Sequence, residues 1–259
     1  MGACNPEELA NAITHGAGRL DRIAAVIAGC DPAAPPPSEI MASLDALAVG
    51  LDGNSPTAVI RHVFDGLGFL GNTTHYYHPS NSLIHQVLKR RIGNPLSLAV
   101  VAAELSRRVD GTLTVVGFPG HVLIGDDEHP TRWFDPFLGG APLDLAGCRS
   151  LLARMRPGDA FHPSMVRPAT TVEVAQRILN NLDVAYRHSG DVSRLLAVLE
   201  LRLGLPTAGP GERRQLAHTL IAAGRPFRAV AVLDELIAED PDNGDDYLRI
   251  RQRLLATAN

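Results

Sequence analysis

The sequence predicts an α+β fold, and three features carry that expectation. A helix opens at Asn94 and runs to about Val109. Three short strand-like runs follow it: Leu113 to Val116, His121 to Gly125, and Arg132 to Asp135. From about Thr171 onward the apolar residues recur only at helical spacing. The helix start is well marked. Asparagine is a strong N-cap, and Pro95 at the first helical position sacrifices an N–H that would have no intrahelical partner.

Ahead of that helix, Glu7 to Ala28 reads as helical and ends in Gly29, and Cys30 to Pro37 is a proline-rich linker. Residues 1–37 are therefore assigned to an N-terminal helix and linker. Ser38 is the expected N-cap of a helix over Glu39 to Leu51, where Ile40, Leu44, Leu47 and Leu51 share one face. Thr57 to Phe64 is a further helix, Gly66 to Ser82 a loop rich in Gly, Asn, His and Tyr, and Leu83 to Arg91 a short helix. Asp144 opens a helix to about Arg154 and closes a core assigned to residues 38–170. In residues 171–259 four helices are expected, Gln176 to Ser189, Val192 to Leu203, Arg213 to Ala223, and Phe227 to Glu239, ahead of a solvated final helix with acids near its start and Arg249, Arg251 and Arg253 near its end. Gly190 and Gly224 are 34 residues apart, and Pro206 and Pro241 are 35 apart. Two helices per such period, closed by Asp-Pro, is the pattern of a tetratricopeptide-like repeat pair.

The chain has 259 residues, 45% hydrophobic and 20% charged, with a formal net charge of −4. That balance suits a globular core and argues against general nucleic-acid binding, which needs a basic face. No apolar run approaches the ~18 residues of a membrane span, and Met1 to Leu9 lacks the basic start of a signal peptide. Cys4, Cys30 and Cys148 lie far apart, which fits a reducing compartment. A cytoplasmic protein is expected.

The segment from His121 to Asp135 carries the chemistry. A hairpin folded symmetrically about Glu128 would set Gly125 opposite Thr131, Leu123 opposite Trp133, and His121 opposite Asp135. Directly opposed residues in an antiparallel pair share a face with Cβ atoms ~5 Å apart. A carboxylate there can fix the tautomer of an imidazole, which is the base-and-orienter half of a triad.

Several segments resemble the bacterial transglutaminase-like branch of the papain superfamily that carries a C-terminal tetratricopeptide-type region. They are Gly71-Asn72, Tyr76 to Ser82, Val87 to Ala99, Gly117 to Leu123, and Phe134 to Phe137. The resemblance covers roughly residues 38 to 250. It implies a papain/transglutaminase-like core, helix plus antiparallel sheet, followed by the helical repeats. It also implies that His121 and Asp135 are two triad members and that the family's cysteine position falls at Pro95. The branch commonly lacks that cysteine. The resemblance therefore implies a non-catalytic protein or peptide interaction or scaffold module with an unidentified partner. The alternative is an amidase, peptidase or acyl transferase in which Ser97 attacks with His121 and Asp135 behind it.

Candidate binding residues are Asn72, Tyr76, Tyr77, Asn81 and Ser82, a dense polar and aromatic set in one loop, together with Arg91 and Pro95. Asn81 and Ser82 have a second reading as local turn and cap residues. Cys148 falls after Asp135, outside the superfamily order, and reads as a small semi-buried thiol. His75, His78 and His85 have the spacing of a zinc triad, but nothing in the sequence supplies the groups that orient such ligands, so no metal and no cofactor is expected.

Overall fold

The computed structural model describes residues 5–16 and 18–257. Four helices come first: α1 (Pro6–His15), α2 (Leu20–Ala28), α3 (Pro37–Ala48) and α4 (Pro56–Arg61), the last continuing into a π turn over His62–Gly66. Strand β1 (Leu70–Gly71), helix α5 (Ile84–Arg90), strand β2 (Ile92–Gly93) and helix α6 (Pro95–Arg107) follow. Next come β3 (Leu113–Val116), β4 (Leu123–Asp126), β5 (Trp133–Asp135), β6 (Ala141–Leu143) and α7 (Leu145–Met155). The chain then turns wholly helical through α8 (Thr171–Ser189), α9 (Val192–Arg202), α10 (Pro210–Ala222), α11 (Pro226–Glu239) and α12 (Gly244–Thr257). Among the described residues no helix is long and apolar enough to cross a membrane.

Helix α6 is apolar on every side, and Pro95 through Ser106 are all buried. A helix of that composition belongs at the centre of a core. The antiparallel meander β3-β4-β5-β6 packs against it. The two faces of this sheet alternate as a strand period of two requires. Val115, Ile124 and Phe134 join the main core. Their neighbours Val116, Leu123 and Trp133 join a smaller cluster with Cys148, Leu151 and Leu152 of α7. The expected α+β arrangement of helix and antiparallel sheet is present.

Several expectations need correction. The single helix over Glu7 to Ala28 is two, because the chain turns after His15, with Gly18 at φ 80° and the Arg19 N–H bonded to Gly16 O. Helix α3 starts at Pro37 behind Pro36, so Ser38 lies inside the helix and is not its cap. The hairpin register is shifted by two residues: Gly125 pairs with Trp133 and Ile124 with Phe134. The shift follows from the longer turn, where the Asp126 carboxylate binds the Glu128 and His129 backbone N–H groups. Asp126 also belongs to β4, and β4 starts at Leu123, leaving His121 in the turn before it. Strands β1, β2 and β6 had no counterpart in the sequence reading.

The C-terminal helices pack in sequence, each on the next from α8 to α12. Gly190 and Gly224, the two turn glycines, both take left-handed φ, at 72° and 65°, as helix-ending glycines do. Helix α8 packs on α2 and α6 as well as on α9, so one apolar cluster runs from Leu9 to Ala229 across position 171.

One polar knot pins α2 to α6. Asp21, fully buried, accepts hydrogen bonds from Arg108 at 2.7 Å and Arg19 at 2.8 Å, while buried Glu104 accepts the Leu20 N–H at 2.8 Å. Burial opposes the Asp21 charge, but the Arg19 and Arg108 hydrogen bonds outweigh it and hold the carboxyl at about 2. Stripping one partner from a buried ion pair costs ~3–5 kcal/mol. Asp21→Asn is therefore expected to destabilise the fold by about 3 kcal/mol in denaturant unfolding. An unfolded aspartate titrates near ~4, so this contribution is complete above pH ~4 and is lost as pH falls through about 2. The gap between wild type and variant should close over that window.

Candidate functional site

The start of α6 is built from five buried polar side chains: Asn72, Asn81, Ser82, Asn94 and Ser97. Asn94 and Ser97 form a reciprocal capping box. The Ser97 N–H donates to Asn94 Oδ1 at 2.9 Å, and the Asn94 N–H donates to Ser97 Oγ at 3.1 Å. The Ser97 hydroxyl itself donates to Asn81 O at 2.6 Å. Asn94 Nδ2 donates to Ser82 Oγ at 2.8 Å, and Asn72 Nδ2 to Asn81 Oδ1 at 3.0 Å. Asn81 Nδ2 donates to the carbonyls of His75 and Tyr76, while Asn72 Oδ1 accepts the His75 N–H. Two glycines permit this density. A Cβ on Gly93 would stand 2.5 Å from Ser97 Oγ, and one on Gly71 2.5 Å from the Phe137 ring.

The network fixes the loop that carries Tyr76 and Tyr77. Both rings are exposed and meet edge to face at 5.3 Å between centroids. Tyr76 also meets Phe137 at 5.8 Å, and Tyr77 meets His188 of α8 at 5.9 Å. Burial, then the charge of Tyr77, raises the Tyr76 hydroxyl above its ordinary value, and Arg177 opposes them. Beneath the loop is a cavity of ≈ 100 Å³ lined by Tyr76, Tyr77, Ser82 and Asn94, with Asn181 and Val184 from α8.

His121 and Asp135 meet as expected, despite the shifted register. His121 Nε2 lies 3.0 Å from Asp135 Oδ1, and both side chains are largely buried. The real register, extended by one pair, puts Asp135 across from Leu123, and His121 is two residues before Leu123. A slip of two keeps side chains on the same face, so the pair survives as a diagonal neighbour. Asp135 Oδ1 also accepts the Phe137 and Leu138 N–H groups and so caps the 3₁₀ turn at Pro136–Leu138. With the carboxylate accepting at Nε2, the neutral ring keeps its lone pair on Nδ1.

Arg177 of α8 was not singled out in the sequence. Its guanidinium donates to His121 O at 2.7 Å and reaches Phe118 O at 3.4 Å. It holds the turn that carries His121 and lines a cavity of ≈ 300 Å³ with Gly117, Ser164, Gln176 and Asn180. Burial lowers its pKa, and the nearby Tyr76 partly offsets this. The available signal was an arginine between Val174 and Ile178, on the edge of the buried face of α8.

The remaining predicted residues disperse. Pro95 is buried at the first position of α6. Arg91 lines a different groove, between α3 and α5, so it is not brought together with His121. Cys148 is fully buried under the sheet; burial, then Asp144, pushes its thiol up to about 11. Of the three spaced histidines, His75 contacts Thr74, His78 accepts the Ser80 N–H, and His85 lies 3.4 Å from Asp31. Among the described residues the one group with metal-like spacing is Asp126, Glu128 and His129, where His129 Nδ1 is already hydrogen-bonded to Asp126 at 3.1 Å. Cys4 lies outside the described residues.

The family model described as the transglutaminase-like superfamily matches residues 19–180. A UPF0162 protein of Xylella fastidiosa is 40% identical over 139 residues, covering 51% of this chain and 49% of its own length. A UPF0162 protein of Pseudomonas aeruginosa is 32% identical over 190 residues, covering 72% of this chain and 68% of its own length. Human F-box only protein 21 is 29% identical over 129 residues, covering 46% of this chain and 20% of its own length. The chain thus spans about half the length of the Xylella relatives it matches. No solved structure matches.

Two outcomes follow from this geometry. Asp135→Ala leaves two backbone donors and an imidazole without their acceptor, so it should destabilise the fold by about 2 kcal/mol and by more than His121→Ala, read from denaturant midpoints. Iodoacetamide with peptide mapping should leave Cys148 unmodified in the native protein at neutral pH and label it fully in denaturant.

Proposed function

The chain belongs to the transglutaminase-like superfamily, and we propose that it acts there as a peptide-binding module without covalent chemistry of its own. One observation carries this reading: the position that resembles the family's cysteine is Pro95, and the hydroxyl two residues on, Ser97, is buried and donates to Asn81 O. A catalytic serine needs its proton directed at a base. Here the hydroxyl is spent on the helix cap, and His121 is held by Asp135 with no thiol or hydroxyl hydrogen-bonded to it among the described residues.

What remains is a recognition surface. Tyr76 and Tyr77 offer large, exposed faces on a loop locked from beneath, so little entropy is lost when a ligand lies against them. Asn181 in the cavity beneath the tyrosines, and Gln176 and Asn180 in the separate cavity beside Arg177, offer donors for peptide carbonyls. The hairpins of α8 to α11, read as a tetratricopeptide-type pair, continue the surface from His188, which already touches Tyr77. The cytoplasmic location and scaffold role are part of the same reading.

An arrayed peptide library probed with the purified protein tests it. Selected peptides should bind Tyr76→Ala and Tyr77→Ala at least ~10-fold more weakly, about 1.4 kcal/mol each, and should be recovered intact. Peptides that are cleaved or acylated in a His121-dependent way, or whose binding ignores both tyrosines, would contradict it. Ser97→Ala should cost about 1–2 kcal/mol of stability, because the buried hydroxyl's bonds from the Asn94 N–H and to Asn81 O are lost while the Asn94 side-chain cap remains.

A further inference from the structure

Between α3 and α5, away from His121, the surface opens into a groove of ≈ 590 Å³. One wall is apolar at its surface, with Pro35, Ala46 and Leu47 over the buried Ile40 and Leu88. The other carries three basic side chains, His85, Lys89 and Arg91. Two of these are left short of partners. The Arg91 Nη1 and His85 Nδ1 atoms are buried and have no hydrogen-bond partner among the described residues. The His85 side chain is only 8% exposed.

Arg91 is the decisive group. It ends α5 at φ 58°, a left-handed conformation uncommon outside glycine and costly for a long side chain. Its backbone is tied on both sides, the N–H to Val87 O at 2.8 Å and the carbonyl to the Leu70 N–H at 2.8 Å. The side chain is thereby held with its guanidinium 4.8 Å over the Phe69 ring. Burial lowers its pKa, and no carboxylate acts against that. The acids nearby are engaged elsewhere. Asp31 faces His85 Nε2 and Arg194, and Asp45 of α3 binds Arg108 at 2.7 Å. Glu39 of α3 is exposed and does not line the groove. A half-buried guanidinium without an anion is costly, and such groups ordinarily meet a carboxylate or phosphate.

We propose that this groove is a second binding site, independent of the tyrosine cleft, for a small organic acid: a carboxylate held by Arg91, with Lys89 at the rim, and an apolar body along Pro35, Ala46 and Leu47. The groove's volume falls within the range of small-molecule pockets, ~300–1,000 Å³. Its combination of one basic end and one apolar wall selects an amphiphilic acid over inorganic phosphate, which would leave the wall unused, and over a neutral lipid, which would leave Arg91 uncompensated.

Octanoate is a suitable probe, with octanamide as its uncharged counterpart, both titrated by calorimetry into the full chain. Octanoate should bind saturably, and octanamide at least ~10-fold more weakly, since a charge-assisted pair separates them. Arg91→Asn, whose side chain tolerates the left-handed backbone, should weaken octanoate at least ~10-fold. Lys89→Ala, at an exposed position, keeps the test valid if Arg91→Asn fails to fold, and should weaken octanoate while leaving octanamide unchanged. Tyr76→Ala should change neither. The proposal is overturned if octanoate gives no saturable heat, if octanamide binds equally well, or if Lys89→Ala and every folded Arg91 variant bind octanoate like wild type.

Discussion

The rest of this structure depends on the buried amide-and-hydroxyl network at the start of α6. Five side chains, from Asn72 to Ser97, are removed from water within a few ångströms of one another. Each buried polar group left without a partner would cost ~1–3 kcal/mol, so the network is stable only as a complete set. Completeness demands that the chain at residues 72–82 lie against the chain at 93–97; the absent side chain of Gly93 leaves room for Ser97 Oγ, and that of Gly71 leaves room for the Phe137 ring. The aromatic loop, the core helix and the 3₁₀ turn beneath Asp135 are thereby set relative to one another. The same bonds that fix the scaffold occupy the Ser97 hydroxyl.

The His121–Asp135 pair fits this picture. Asp135 caps the 3₁₀ turn through two backbone N–H groups as well as binding the imidazole, and Arg177 closes the turn before His121 from the opposite side. Every one of these contacts has a structural purpose. A histidine and carboxylate in this geometry thus also hold the hairpin and its flanking turn together.

Much of the fold was legible because it is local. The Asn94-Pro95 cap, the glycine-ended helices and the strand over Leu113–Val116 are written in neighbouring residues, and the structure has each of them. The His121–Asp135 contact was also legible, although the register behind it was wrong by two, because a shift of two preserves the face. Strands β1, β2 and β6 were not legible: two or three residues show no periodicity, and their pairing is set by tertiary contact. Nor could spacing show that Asn72, Asn81 and Ser82 turn inward to each other while Tyr76 and Tyr77 turn out. Arg91, one residue before β2, was grouped with the candidate binding residues of the Asn72–Ser82 loop. Its left-handed backbone instead aims it toward α3, a direction that no sequence pattern encodes.

The central claim is that the Ser97 hydroxyl is a structural group without nucleophilic character. Labelling the folded protein with a serine-directed fluorophosphonate, and mapping the adduct by mass spectrometry, tests this most directly. The account predicts no adduct on Ser97, because its proton is held by Asn81 O and its oxygen is buried. Labelling of Ser97 that disappears in His121→Ala would contradict it and would establish a working catalytic triad.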